Sequence, residues 1–173
     1  MANDPYAQLA PVPEIAVRAP FPDGGALPLV NAAPSHGGEG RSPALEWDPV
    51  EGAAAYLVSA YDPDAPTMSG FWHWIVKNVP ADVTALPENA GSGVEGALPD
   101  GASAGRNEAL GTEYLGAAPP AGHGPHRYFF TVQALSAPLD VPDDLTGARV
   151  HFMARESIIA RGHVMGVFEH PGD

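Results

Sequence analysis

Three segments of the chain are rich in aromatic and β-branched residues or alternate apolar with polar positions, a pattern typical of β-strands. They predict strands over residues 54–61, 71–79 and 126–135. Shorter segments predict a first strand over residues 15–19 and a last one over residues 163–169. Between these segments lie clusters of glycine and proline, which favour turns. The chain is therefore predicted to be mostly β.

Helical periodicity is confined to residues 150–161. One helical face there would carry Val150, Met153, Ala154, Ser157 and Ile158. Arg161 falls in the predicted last turn, and Gly162 stands where a helix commonly stops. We therefore expect one C-terminal helix besides short helical turns. No boundary divides the chain, so we expect a single domain over residues 1–173, with residues 1–14 as an N-terminal arm.

Composition and charge narrow the possible partners. The chain has 45% hydrophobic and 17% charged residues, which indicates a packed core rather than disorder. Its formal net charge of −13 would repel nucleic acid and anionic membrane surfaces, so neither is an expected partner. The absence of cysteine excludes disulfides and cysteine-based metal or nucleophile sites. No apolar stretch approaches the length of about 18 residues that a membrane span needs. Residues 1–6 carry neither a basic start nor an apolar segment, so we expect a cytoplasmic protein.

Two segments at the predicted strand ends carry residues that are suited to binding or catalysis. Residues 62–67 (DPDAPT) place Asp62 and Asp64 just past a strand end, where prolines fix the backbone around them, although a rigid turn would use the same residues. On the strand that follows, alternation puts His73 on one face with Phe71 and Ile75, and both Trp72 and Trp74 on the other. A single histidine on an apolar face is more often a buried core residue than a ligand.

The third segment is a glycine-rich loop that leads into a strand, residues 119–128 (PPAGHGPHRY). Glycine lets backbone N–H groups approach a ligand closely. His126 and Tyr128 are two residues apart, so they face the same side, and both side chains can donate hydrogen bonds to phosphate or carboxylate oxygens. Arg127 faces the opposite side, where we expect a structural salt bridge.

Taken together, these segments resemble the phosphatidylethanolamine-binding protein family, also called Raf kinase inhibitor-like proteins. The motifs are DPDAPT (62–67), HWIVKNVP (73–80) and PPAGHGPHRYFF (119–130), and their order and gaps make the resemblance specific. It covers roughly residues 18–169 and looks closest to the short bacterial branch of YbhB and YbcL type. The resemblance implies an antiparallel β-sandwich in which a large sheet packs on a smaller one, with little helix.

The resemblance also implies a small pocket at one end of the sheet that binds phosphate-like and other anions. In this chain its walls would be Asp62, His73, Pro119, Pro120, His126 and Tyr128. Trp72 or Phe71 would lie at the rim, with Asp64 close by in a supporting role. The chain departs from the family pattern at residues 116–120, which read GAAPP, and at Phe168, which offers no hydroxyl. These departures concern the identity of the ligand rather than the fold.

Two binding functions follow from this resemblance. In the first, the protein binds phosphate, phosphoethanolamine, acetate or a similar anion, and Asp62 orients a histidine, holds it charged or meets a ligand ammonium. In the second, the protein regulates or inhibits a kinase or a protease, with residues 87–107 as the variable contact surface. A homodimer also stays open, because bacterial relatives often pair.

The alternative is an enzyme. A two-histidine, one-carboxylate metal site or an acid/base hydrolase could draw on Asp62, Asp64, His73, His123 and His126. However, the sequence has no G-x-S-x-G nucleophile motif and no H-E-x-x-H metal motif. We therefore expect neither catalysis nor a metal or other cofactor.

Overall fold

The structure is a computed structural model that describes residues 4–172. Within that range the chain forms nine strands, one α-helix and two 3₁₀ helices. The strands are β1 (Val17–Arg18), β2 (Gly25–Ala26), β3 (Leu45–Trp47), β4 (Ala55–Asp62), β5 (Phe71–Pro80), β6 (Ala85–Leu86), β7 (Ser103–Ala104), β8 (His126–Leu135) and β9 (Ile158–Phe168). The 3₁₀ helices span Leu29–Asn31 and Pro34–His36, and α1 spans Gly147–Ala154.

The strands form a large and a small sheet, as predicted. The large sheet has the strand order β2-β9-β8-β4-β5-β7, and the small sheet has the order β1-β3-β6. Neighbouring strands are antiparallel except for β2 and β9, which run parallel. The mostly β fold with a single C-terminal helix is therefore confirmed.

Both faces of the large sheet are covered, which explains why its central strands are apolar along almost their whole length. One face packs on the small sheet through buried side chains such as Trp47, Tyr56 and Phe130. The other face packs on α1, where Leu57 and Leu135 belong to a second apolar cluster. The predicted strand over residues 126–135 has the observed bounds of β8, and the predictions for β4 and β5 agree to within one residue at each end.

The predicted helix over residues 150–161 is wrong in its second half. α1 ends at Ala154, and residues 158–161 open β9, where Ile158 pairs with Leu135 and Arg161 pairs with Gln133. Of the predicted helical face, Val150 and Ala154 are buried, whereas Met153 is exposed. An apolar pair at residues 158–159 suits either a helix or a strand, and pairing with the long strand β8 decides the outcome. No helix among residues 4–172 is long and apolar enough to cross a membrane.

The described part of the predicted N-terminal arm lies against the face of the large sheet that carries α1. Tyr6 stacks on His163 with ring centroids 4.6 Å apart, and its hydroxyl forms a hydrogen bond with the Thr131 hydroxyl. Further along, the N–H of Ile15 donates to the carbonyl of Arg161 over 3.0 Å. Residues 1–3 of the predicted arm lie outside the described residues.

Gly162 provides a test of this docking. It lies in β9 rather than at a helix stop, and a Cβ atom added there would lie 1.8 Å from the carbonyl oxygen of Ile15. We expect Gly162→Ala to lower the free energy of unfolding by about 1–3 kcal/mol, because backbone must move to make room. Urea denaturation measures this. Gly172→Ala is the control, since its added Cβ would make only an ordinary contact, 3.4 Å from Gly122. Equal stability of the two variants would contradict the proposed contact.

Candidate functional site

A cavity of about 650 Å³ opens at the end of the large sheet where β4 ends and β5 and β8 begin. This volume lies in the range of small-molecule sites. Five of the residues expected at the pocket line the cavity, namely Asp62, His73, Pro120, His126 and Tyr128. The strands supply Asp62, His73, His126 and Tyr128, and the loops supply most of the apolar wall.

A β-bulge in β5 turns His73 toward this cavity. Ala60 of β4 pairs with Trp74, and the next residue, Tyr61, pairs with Trp72, so His73 is the extra residue between two consecutive pairs. Trp74 consequently packs in the core between the sheets, on the same face as His73, whereas Ile75 belongs to the cluster on the α1 face. The regular alternation predicted for this strand is therefore wrong for Trp74 and Ile75.

A chain of hydrogen bonds links Asp62, His126 and His123. The Nδ1–H group of His126 donates to Oδ2 of Asp62 over 2.7 Å. The other oxygen, Oδ1, accepts the backbone N–H groups of Asp64 at 2.7 Å and Ala65 at 3.1 Å. The Asp62 side chain is only 4% exposed, so these three donors replace the water that burial removes. Nε2 of His126 lies 2.8 Å from Nδ1 of His123, and one of these two nitrogens donates a hydrogen bond to the other.

His73 presents one free ring nitrogen to the cavity. Its Nδ1–H group donates to the carbonyl of Leu115 over 2.7 Å, which fixes the proton on Nδ1 and leaves Nε2 without a partner among the described residues. Burial lowers the pKa of His73 below its usual 6.5, against the opposing effects of the Leu115 carbonyl and the Asp62 carboxylate. At neutral pH the ring is therefore uncharged, and Nε2 is a hydrogen-bond acceptor.

Tyr128 adds a hydroxyl beside this imidazole. Its ring meets that of His73 edge to face, with centroids 5.2 Å apart. Burial raises the pKa of Tyr128 far above its ordinary value, so the hydroxyl keeps its proton and can donate it. Tyr114 also lines the cavity, but its hydroxyl already donates to the carbonyl of Asn31 over 3.0 Å.

The other three residues expected at the pocket lie outside the cavity lining. Asp64 holds Arg127 through bonds of 2.7 Å to Nε and 2.7 Å to Nη2, which is the salt bridge expected for Arg127. The carbonyl of Pro119 lies 3.0 Å from Nε2 of His36 and tethers the proline loop. Trp72 points to the face of the sheet opposite His73, as the alternation predicts, and Phe71 lines the cavity in its place.

Sequence reasoning did not identify a second wall of the cavity, which residues 33–40 supply. A bridge between Ala32 and Ala117 brings this segment beside the loop that precedes β8. It contributes Glu39, whose carboxylate is paired with Nε of Arg41 at 2.9 Å. The composition of this segment indicates only a flexible loop, and no local signal in the sequence places it at the site.

Of the five groups named for a metal site, all but His73 form side-chain hydrogen bonds with other protein side chains. His126 is bonded to both Asp62 and His123, and Asp64 is bonded to Arg127. Across residues 4–172, no group of three or more histidine, aspartate or glutamate side chains is arranged to hold a metal ion.

Comparison with known proteins identifies the class to which this fold and site belong. The family model for phosphatidylethanolamine-binding protein matches residues 17–169, and the chain belongs to that family. It is similar to the UPF0098 protein YbhB of Escherichia coli, with 45% identity over 133 residues that cover 76% of this chain and 83% of YbhB.

Solved structures agree with this assignment. The crystal structure of Escherichia coli YbcL superposes with a TM-score of 0.84 and 40% identity, covering 90% of this chain and 98% of YbcL. That of CT736 from Chlamydia trachomatis gives a TM-score of 0.76 and 26% identity, covering 90% of this chain and 97% of CT736. The resemblance stated from the three sequence motifs is therefore confirmed.

The role of Asp62 can be tested through stability. Asp62→Asn replaces a carboxylate oxygen by an NH₂ donor, so at least one of the three donors that face Asp62 loses its acceptor. We expect the free energy of unfolding to fall by about 1–3 kcal/mol, as for a buried donor without a partner. Asp48→Asn is the matched control, because the Asp48 side chain is 59% exposed and its ion pair with Arg18 contributes little. A loss no larger than that of the control would show that the Asp62 hydrogen bonds are not structurally important.

Proposed function

We propose that this protein binds a small organic anion, with the negative group held between His73 and Tyr128 and the rest of the ligand along the apolar wall. The observation that carries the proposal is the pair of polar atoms that line the cavity, Nε2 of His73 and the hydroxyl of Tyr128. The first has no protein partner among residues 4–172, and the second keeps its proton. A ligand that satisfies both atoms must accept a hydrogen bond from the Tyr128 hydroxyl. It must also donate a hydrogen bond to Nε2 of His73, or bind when that nitrogen is protonated.

The size and lining of the cavity favour more than a bare inorganic ion. A volume of about 650 Å³ exceeds what one phosphate or acetate fills. Apolar side chains form much of the wall, among them Pro34, Pro66, Phe71 and Leu115. A phosphorylated head group or an organic carboxylate would place its charge at the histidine and its carbon atoms against this wall.

The hydrogen-bonded chain from Asp62 to His123 supports this assignment through charge. Asp62 is a buried carboxylate at the cavity and would repel an anion. Its two oxygens already accept three hydrogen bonds, two from backbone N–H groups and one from the Nδ1–H group of His126. These donors hold both Asp62 oxygens away from a ligand at His73 and Tyr128, which weakens the repulsion of an anion without removing it.

Anion binding should depend on pH in a defined direction. Because the pKa of free His73 lies below 6.5, its protonated fraction rises as pH falls, and an anion that needs the protonated ring binds more tightly at low pH. Sulfate carries no proton between about pH 5.5 and about pH 8, so its affinity should rise at least about tenfold over that interval as pH falls. At the higher pH, phosphate should bind more tightly than sulfate, since its O–H can donate to neutral Nε2.

Titrations that follow the ring signals of His73 and His126 by NMR measure these affinities and locate the ion. Equal affinity of sulfate at both pH values would contradict the role of His73. Absence of shifts at both rings with sulfate, phosphate, O-phosphoethanolamine and acetate would contradict the anion site itself.

The Tyr128 hydroxyl gives a second test. Tyr128→Phe keeps the ring that packs on His73 and removes the donor, so we expect affinity for O-phosphoethanolamine to fall about fivefold to tenfold. Tyr56→Phe is the matched control, because the Tyr56 hydroxyl accepts the backbone N–H of Val50 and Tyr56 lines neither this cavity nor the one on the opposite face of the sheet. Isothermal titration calorimetry compares the three proteins. Unchanged affinity in Tyr128→Phe would exclude the hydroxyl as a ligand donor.

A further inference from the structure

The opposite face of the large sheet carries a second cavity, of about 430 Å³, under the N-terminal arm. Its walls come from β4, β5, β8 and β9, from the segment around α1, and from residues 4–10 of the arm. It shares no lining residue with the cavity at His73. The two cavities are therefore separate sites on the two faces of one sheet.

Arg161 is the unusual residue of this second cavity. It lies in β9 directly across from Gln133 of β8, and both side chains line the cavity. No carboxylate in residues 4–172 lies within ion-pair distance of its guanidinium, although five other basic side chains in that range have such a partner: Arg18, Arg41, Lys77, Arg127 and Arg155. A partly buried arginine without a counter-ion is costly because burial removes the water that solvates its charge, unless an anion from outside the chain supplies a partner.

Three polar atoms in the lining lack partners in the described part of the chain. They are Nε of Arg161, Oε1 of Gln133 and Nε2 of His151, and all three atoms are buried. The Gln133 residue is only 3% exposed. A buried polar group without a partner is uncommon in folded proteins, and three that line one cavity indicate that a ligand completes their hydrogen bonds.

One wall of the cavity is aromatic and uncharged. Trp72 stacks on His151 with ring centroids 4.6 Å apart, and Tyr61 packs on Trp72 at 4.4 Å. Burial lowers the pKa of His151 to about 4, so this imidazole is neutral at physiological pH. Two other charged residues line the cavity: Arg155, which is paired with Glu156, and Asp4, whose Oδ1 accepts the N–H of Tyr6.

We propose that this second cavity binds a small organic carboxylate, with the carboxylate at Arg161 and an apolar or aromatic body against Trp72 and Tyr61. The planar guanidinium matches the planar carboxylate and can bind it through two hydrogen bonds. Arg161 is the one unpaired cation among the described residues of the lining, and Asp4 adds a negative charge there. The cavity therefore suits a ligand with one negative charge better than a phosphate dianion, which carries two. Oε1 of Gln133 accepts a hydrogen bond, so a hydroxyl or N–H group on the ligand near its carboxylate would strengthen binding.

The test is an NMR titration with benzoate near pH 7, read at the His151 ring for the second cavity and at His73 and His126 for the first. Benzoate should shift the His151 signals saturably. Benzamide, which has the same shape without the charge, should shift them at least about tenfold less strongly at equal concentration. Shifts at His73 and His126 alone, or equal shifts with benzamide, would overturn the proposal and leave the first cavity unaffected.

Variants of Arg161 complete the experiment. Arg161→Gln should weaken benzoate binding at His151 at least about tenfold, and Arg161→Lys, which keeps the charge but loses the planar pair of donors, should give an intermediate loss. Arg18→Gln is the matched control on the surface, with no loss expected. Circular dichroism and thermal unfolding check that each variant is folded. Wild-type affinity in a folded Arg161→Gln would refute the assignment, as would a loss in Arg18→Gln as large as that in Arg161→Gln.

Discussion

The bulge at His73 is the constraint on which both faces of the large sheet depend. One extra residue in β5 lets His73 and Trp74 face the small sheet together while Trp72 and Ile75 face α1. Without it, regular alternation would place His73 with Ile75 in the apolar cluster on the α1 face, away from the cavity at the strand ends. A local irregularity of pairing thus decides that an imidazole reaches the cavity at the strand ends.

The two cavities differ in how their charge is controlled. The first contains His73, which burial keeps neutral at neutral pH, and a buried carboxylate, Asp62, that accepts hydrogen bonds from three donors. The second contains a permanent cation, Arg161, beside a histidine that burial keeps neutral. One sheet separates the two sites, so a ligand in either cavity contacts different residues of the same central strands.

The spacing of motifs allowed most of the first site to be predicted from sequence. Asp62, His73, His126 and Tyr128 lie where three strands begin or end, and a family resemblance relates those ends to one pocket. The roles of individual residues were harder to predict. Pro119 was expected in the wall and Asp64 close by in a supporting role. Pro119 instead tethers His36 and Asp64 pairs with Arg127, because each has a protein partner that lies far away in the sequence.

The sequence by itself determined the class of fold, the bounds of the central strands and the residue types at the strand ends. These follow from local pattern, because alternation, aromatic content and turn residues act over a few neighbouring positions. Only the tertiary structure decided that residues 158–161 pair with β8 instead of extending α1, and that residues 33–40 form a wall of the cavity. It alone also placed Arg161 and Gln133 opposite each other without a counter-ion, since contacts between distant strands depend on register and packing, which no local pattern records.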